Sequence, residues 1–139
     1  MIRISTDAAD IDLEWVHAAL SERAYWALGR SRELVERSIA GSLSFSAFED
    51  DRQVGYARVI TDLATFAWVC DVFVDESARG QGIGKALLAA ITADPRLANL
   101  KRMVLTTGSP DFYAPFGFEP LEAPERWMLR KGAGSEPGG

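Results

Sequence analysis

The chain has 139 residues, 47% of them hydrophobic, and a formal net charge of −5 from 15 Lys and Arg against 20 Asp and Glu. That length suits one domain with a core of its own, and that apolar content excludes disorder for the body of the chain. The acidic balance argues against nucleic acid as a partner; a single cysteine excludes an internal disulfide, and with a single histidine it argues against a protein-built zinc site.

In chain order, Ile2 to Ile4 read as a short first strand, and the opening Met1-Ile2-Arg3-Ile4-Ser5-Thr6 is no signal peptide. Asp10 or Asp12 is placed to cap a helix with Leu13, Val16 and Leu20 on one face; His17 sits beside that face as a surface or half-buried residue. Tyr25 and Trp26 lie in a less regular segment ending at Gly29-Arg30, where they either line a pocket or pack as core or lid. Ser31 can cap a second helix that turns Leu34, Val35, Ser38 and Ile39 inward and Glu33, Glu36 and Arg37 outward. After Gly41 the period changes from helical to alternating. Leu43, Phe45, Ala47 and Phe48 make a strand, Glu49-Asp50-Asp51-Arg52 a polar turn, and Val54, Tyr56, Arg58 and Ile60 the returning strand. Residues 66–74 are almost continuously apolar, as expected near the centre of a sheet. Cys70 reads there as a small buried hydrophobe. Asp71 interrupts the run, and a carboxylate inside such a strand needs hydrogen bonds or a cleft.

The most informative stretch follows. Arg79-Gly80-Gln81-Gly82-Ile83-Gly84-Lys85 joins that strand to a helix with Ile83, Leu87, Leu88 and Ile91 on one face. Glycines let backbone approach a ligand closely, and a helix N-terminus offers unpaired N–H groups and partial positive charge, so the turn suits a phosphate or pyrophosphate flanked by Arg79 and Lys85. It is not a P-loop, because Ala86 stands where a Ser or Thr hydroxyl belongs. It is not the dinucleotide fingerprint either, because Lys85 replaces the last glycine. The helix should end near Asp94-Pro95. Residues 103–107 read as another strand, Gly108-Ser109-Pro110 opens a short helix carrying Asp111, Phe112 and Tyr113, and Pro115-Phe116-Gly117-Phe118 breaks it. Residues 127–129 are expected to form a last strand. One domain over residues 1–130 is expected, with a disordered tail over 131–139. No segment has the length and apolarity of a membrane span, so a cytoplasmic protein with no membrane partner is the expectation.

Arg79-x-x-Gly82-x-Gly84, preceded by Val72-x-Val74, resembles the coenzyme A-binding motif of the GNAT acyltransferase superfamily. Tyr113-Ala-Pro-Phe-Gly117-Phe118 resembles that superfamily's Tyr-x-x-x-Gly-Phe motif, in the right order and spacing. The runs Ala57-Arg58-Val59-Ile60-Thr61-Asp62 and Asp71-Val72-Phe73-Val74 are similar to a bacterial subgroup. The resemblance implies an α/β fold with a mixed sheet of roughly six to seven strands, split into a V and flanked by about four helices. It implies acetyl-CoA as co-substrate; no metal is expected, on the count of one cysteine and one histidine. Val72, Phe73 and Val74 would meet the pantetheine arm, and the amides of Arg79, Gly80, Gln81, Gly82, Ile83, Gly84 and Lys85 would hold the pyrophosphate.

The implied reaction is N-acetylation of a primary amine of a small molecule through a ternary complex. It needs a base for the amine, a donor for the oxyanion and an acid for the leaving sulfur. Tyr113 matches the family position of the acid. Asp71 is the candidate base, directly or through water; alternatively it bonds neighbouring backbone or holds a cationic substrate, which the acidic balance and Asp62 also suit. Thr106 and Thr107 stand where some members carry a glutamate, and Gly108-Ser109-Pro110 where an asparagine is often found. Trp15, Tyr25, Trp26, Tyr56, Phe66 and Trp68 are the aromatic candidates for an acceptor pocket. Many members pair through their final strands, which residues 116–118 and 127–129 would allow as a homodimer. The alternative function is a non-catalytic acyl-CoA-binding sensor with the same cradle.

Overall fold

The alternating stretches form strands and the 3.6-period stretches form helices, in a computed structural model that describes residues 1–134. The strands are β1 (Ile2–Ser5), β2 (Leu43–Glu49), β3 (Arg52–Thr61), β4 (Phe66–Val74) and β5 (Arg102–Val104). They lie in sequence order in one sheet. The first four are antiparallel neighbours, and β5 runs parallel to β4. A parallel pair needs a crossover, which here contains helix α3 (Ile83–Ala93). The other helices are α1 (Leu13–Arg23), α2 (Arg32–Ala40) and the single turn α4 (Pro110–Tyr113). Asp12 caps α1 by accepting from the Trp15 amide, and Ser31 caps α2 by accepting from the Leu34 amide. The fold is the mixed α/β class expected. Among the described residues, no helix is long and apolar enough to cross a membrane.

Each face of the sheet has its own core. On one face Phe45, Ala47, Ala57, Val59, Ala67 and Val69 pack against Ile83, Leu87, Leu88 and Ile91 of α3. On the other, Tyr56 and Phe73 pack against Val16, Leu20 and Val35 of α1 and α2. A fully buried aliphatic side chain contributes about 1.5–3 kcal/mol, so the α3 stripe alone is a major part of what holds the helix on the sheet. The approach is close at Gly55, where a Cβ would lie 3.0 Å from Ile83 Cγ2 and 3.1 Å from Ala47 Cβ. The α1–α2 layer is narrower than the sheet. Beyond it Ile60 remains 44% exposed and Trp68 is half-buried, an uncovered floor on the same face.

One irregularity in β4 matters for the site. Tyr56 pairs with Phe73, but Arg58 pairs with Cys70, so β4 holds one more residue than β3 across this span. The extra residue is absorbed at Asp71, whose φ of 52° is in the left-handed region that Asp tolerates better than most side chains. The bulge inverts the alternation. Val72 and Val74 then pack toward the α3 core, and Phe73 packs under α1.

Three expectations are corrected. Among the described residues the sheet has five strands rather than six to seven. The last strand anticipated at 127–129 is not formed: the segment is irregular, with Met128 97% and Leu129 86% exposed. Pro120 and Pro124, which have no amide to give a ladder, precede it. The strand expected over 103–107 stops at Val104 because the chain leaves β4 there. Residues 131–134 have no regular structure, and the rest of the expected tail lies outside the described residues.

The Gly55 contact predicts that Gly55→Val lowers stability by about 1–3 kcal/mol through overpacking. In thermal denaturation this appears as a midpoint several degrees below wild type. An unchanged midpoint would show that α3 does not seat on Gly55.

Candidate active site

β4 and β5 pair only from Phe66 to Trp68 against Arg102 to Val104. β4 continues to Val74 after β5 has ended, so from Val69 onward its edge on that side has no strand partner among the described residues. The unsatisfied amides and carbonyls of such an edge are ready to pair with an extended ligand. The two strands part around a cleft of about 1310 Å³ that reaches from Arg58 and Trp68 at one end to Gly80 and Lys85 at the other.

At the second end, Gly80 and Gly82 have φ of 83° and 76°, and Gly82 is the N-cap of α3 with no side chain capping the helix. The first-turn amides therefore have no acceptor within the helix. A Cβ at Gly80 or Gly82 would meet nothing within 4 Å, so the space over the turn is open and glycine is required there by the backbone angle. Gly84 is different: its Cβ would lie 3.0 Å from Phe112 Cζ, so glycine there lets α4 seat on α3. Arg79 donates from Nε to the Val74 carbonyl at 3.2 Å and lies 5.7 Å from the Phe73 ring centroid. Val72, Phe73, Val74, Arg79, Ile83 and Lys85 line the cleft together with Gly80, Gly82 and Gly84; Gln81 is exposed and stands outside the lining. Open backbone, uncapped amides and two flanking cations fit the anionic end of acetyl-CoA.

Tyr113 reaches the cleft from α4. Gly117, with φ of 93°, reverses the chain so that Phe118 returns edge-on to Tyr113 at 6.0 Å, while Phe112 packs on it at 4.9 Å. The motif's spacing is thus a packing requirement. Burial, helped by the neighbouring Tyr25 phenol, raises the Tyr113 pKa, so its hydroxyl keeps its proton across the neutral range.

Asp71 is only 5% exposed, and three donors converge on it. Trp26 Nε1 donates to Oδ1 at 3.0 Å, and Arg30 Nη1 and Arg58 Nε each donate to Oδ2 at 2.9 Å. Arg58 is held further by Nη1 to Ser42 Oγ at 3.0 Å. Burial pushes the Cys70 thiol up to about 11, so it carries no thiolate at neutral pH. Tyr56 is buried with its hydroxyl on Ser44 and is pushed up to about 12, mainly by desolvation. Asp62 takes no part in the cleft: hydrogen bonds from the Thr65 and Ala64 amides hold its pKa down in the β3–β4 turn. His17 contacts the Arg30 carbonyl through Nε2 at 3.1 Å. Sequence reasoning missed Arg30 and Arg58 as site residues. The available signal was Arg58 itself, a charge between Tyr56 and Ile60 on the inward positions of a strand, as out of place as Asp71 and opposite in sign.

Residues 40–120 match the family model described as the acetyltransferase (GNAT) domain. A GNAT-family protein of known structure from Xanthomonas campestris pv. campestris is 42% identical, with a TM-score of 0.91 over 94% of this chain and 93% of that one. The acetyltransferase FG08082 of Gibberella zeae is 27% identical over 75% of this chain and 70% of its own length. The fold is also that of N-acetylglutamate synthase from Neisseria gonorrhoeae, a structure holding coenzyme A and N-acetyl-glutamate, with TM-score 0.70 and 24% identity over 90% of this chain and 30% of that one. The chain belongs to the GNAT acetyltransferase family, and acetyl-CoA is the acyl donor that family uses.

The ion cluster predicts that Asp71→Asn is destabilising by about 3–5 kcal/mol, because it removes the charge that the buried Arg58 guanidinium is paired with. Chemical denaturation with wild-type and variant reads this directly. A variant of full stability that has lost only turnover would instead identify Asp71 as the base.

Proposed function

We propose that this chain is an acetyl-CoA-dependent N-acetyltransferase acting on a primary amine of a small molecule by direct transfer. The observation that carries this reading is that the uncapped first turn of α3, the unpartnered edge of β4 and the Tyr113 side chain all open on one cleft. Acetyl-CoA, when bound, supplies a thioester as the electrophile. The Arg79–Lys85 turn holds its anionic end, and Val72, Phe73 and Val74 offer backbone groups to the extended arm. Tyr113, protonated at neutral pH, is the proton donor for the leaving sulfur. The neutral Cys70 thiol supports attack by the amine itself rather than an acyl-cysteine intermediate.

Asp71 is assigned a different role from the base expected of it. Both of its oxygens already accept from charged or indole N–H groups, so the carboxylate is committed to holding the α1–α2 segment on the sheet. The amine therefore arrives neutral or loses its proton through water. The same commitment of Asp71 favours one other reading, an acyl-CoA-binding sensor without turnover. Amine-dependent release of free thiol from acetyl-CoA separates the two; a thermal shift with acetyl-CoA and no thiol from any amine establishes the sensor.

Two outcomes follow for an enzyme. Tyr113→Phe should lower kcat about a hundredfold while leaving acetyl-CoA affinity unchanged in a thermal-shift titration; equal rates would remove Tyr113 from the chemistry. With wild-type protein, kcat/KM should rise with pH as the acceptor amine loses its proton. It should show no falling limb until the pH passes roughly 10, since Tyr113 titrates above the ordinary tyrosine value. A fall beginning below about pH 9 would exclude that tyrosine as the acid.

A further inference from the structure

Among the described residues, one pair of large apolar side chains on the sheet belongs to neither core. Ile60 of β3 and Trp68 of β4 are direct partners in the ladder, so they stand side by side on the face that carries α1 and α2. Ile60 is 44% exposed, Trp68 is half-buried, and both line the cleft. They form an apolar floor.

A wall comes from the segment between α1 and α2. Trp26 packs on the core under those helices and donates its indole N–H to Asp71 Oδ1 at 3.0 Å. Its one polar side-chain atom is therefore engaged, and the ring is held in place. Tyr25 stands edge-on to Trp26 at 5.0 Å with 74% of its surface exposed, and both rings line the same cleft as the floor. The polar side chains next to floor and wall are committed to one another: Asp71 accepts from Trp26, Arg30 and Arg58, and Arg58 is held further by Ser42 Oγ. What this end of the cleft presents to a ligand is mainly ring and hydrocarbon.

The same end adjoins the reacting centre. After burial itself, the Tyr25 phenol is what holds the Tyr113 hydroxyl above its ordinary pKa, so the wall ends beside the proton donor. The open backbone edge of β4 begins at Val69, the residue after Trp68.

We infer that the acceptor is a primary amine that carries an aromatic ring, the ring lying against Tyr25, Trp26, Ile60 and Trp68 and the nitrogen directed to Tyr113. In the transfer the nitrogen bonds the acetyl carbon, the carbon–sulfur bond breaks, and the proton lost by the amine balances the one gained by the leaving thiol. An aromatic ring pairs edge-to-face or offset with Trp and Tyr and gains more than its buried area alone supplies. An open alkyl chain would bury comparable area but give up its rotamer freedom to do so. This inference rests on the acetyltransferase reading above, and its test is arranged so that the two fail differently.

Benzylamine and phenethylamine, their cyclohexyl counterparts, n-butylamine and ethanolamine should be assayed as acceptors by thiol release with acetyl-CoA. In parallel, calorimetry on the coenzyme A-saturated protein should compare the N-acetylated form of each. The phenyl amines are expected to exceed butylamine and ethanolamine by about tenfold to a hundredfold in kcat/KM, the range for burying a large apolar group. They should exceed the cyclohexyl amines by about twofold to tenfold, the range for an aromatic pair. The N-acetylated forms should follow the same order in affinity. Tyr25→Ala, a change at an exposed side chain, should reduce the preference for phenyl over butyl to within about threefold through KM, with acetyl-CoA binding retained. Tyr25→Phe, which keeps the ring and loses the hydroxyl, should preserve it. Should Tyr25→Ala fail to fold, the wild-type series still decides. Butylamine, ethanolamine or cyclohexyl amines turned over as well as the phenyl amines would overturn the inference and leave the acetyltransferase reading intact. Ring-selective binding of the N-acetylated forms without turnover of any amine would do the reverse.

Discussion

The site depends on one extra residue in β4. A strand that paired evenly with both neighbours would alternate its side chains between the two faces without interruption and leave no open edge. The bulge at Asp71 instead sets Cys70 and Asp71 in succession where β3 offers a single step, and it inverts the faces from Val72 onward. A bulged strand bends and twists more strongly than a regular one. β4 parts from β5 after three paired residues, before the bulge is reached. Trp68 on the floor of the cleft and Val72 to Val74 on its open edge are consequently parts of the same strand, one on either side of the bulge.

The buried cluster around Asp71 costs free energy to desolvate, and such clusters are seldom the most stable solution for a core. Here it does something an apolar core would not. Trp26 and Arg30 come from the irregular segment between α1 and α2, Arg58 from β3 and Asp71 from β4, so a single carboxylate fixes the loop to the sheet. The loop brings the aromatic wall with it. Stability is exchanged for a loop held in one position over the cleft.

How much of this was legible in the sequence depended on how local the cause was. The cradle could be read because its glycines, strand and helix start are adjacent, and two of the three glycines answer to a backbone angle or an open space of their own. The Tyr113 motif was legible for the same reason, since Gly117 and Phe118 act on a residue a few positions away. Asp71 was visible as an anomaly, but its meaning was not. Its partners Arg30 and Arg58 lie 41 and 13 residues away, and no periodicity connects them. The overall acidity said nothing of the cleft's own lining, where among the described residues Asp71 is the one acidic side chain beside Arg23, Arg30, Arg58, Arg79 and Lys85. The segment at 127–129 has an apolar strand's composition; the ladder it would have joined is only three residues long.

The contact between Gly84 and Phe112 has a mechanical meaning beyond packing. α4 follows the shortest and least paired strand of the sheet, and a side chain positioned from there alone would inherit the looseness of β5. Because the Phe112 ring sits directly against the first turn of α3, Tyr113 takes its position from the helix that begins at the cradle. The Tyr113 ring and the glycine turn at the start of α3 thus share a common datum, and their separation is set by a packed contact instead of by the sheet edge.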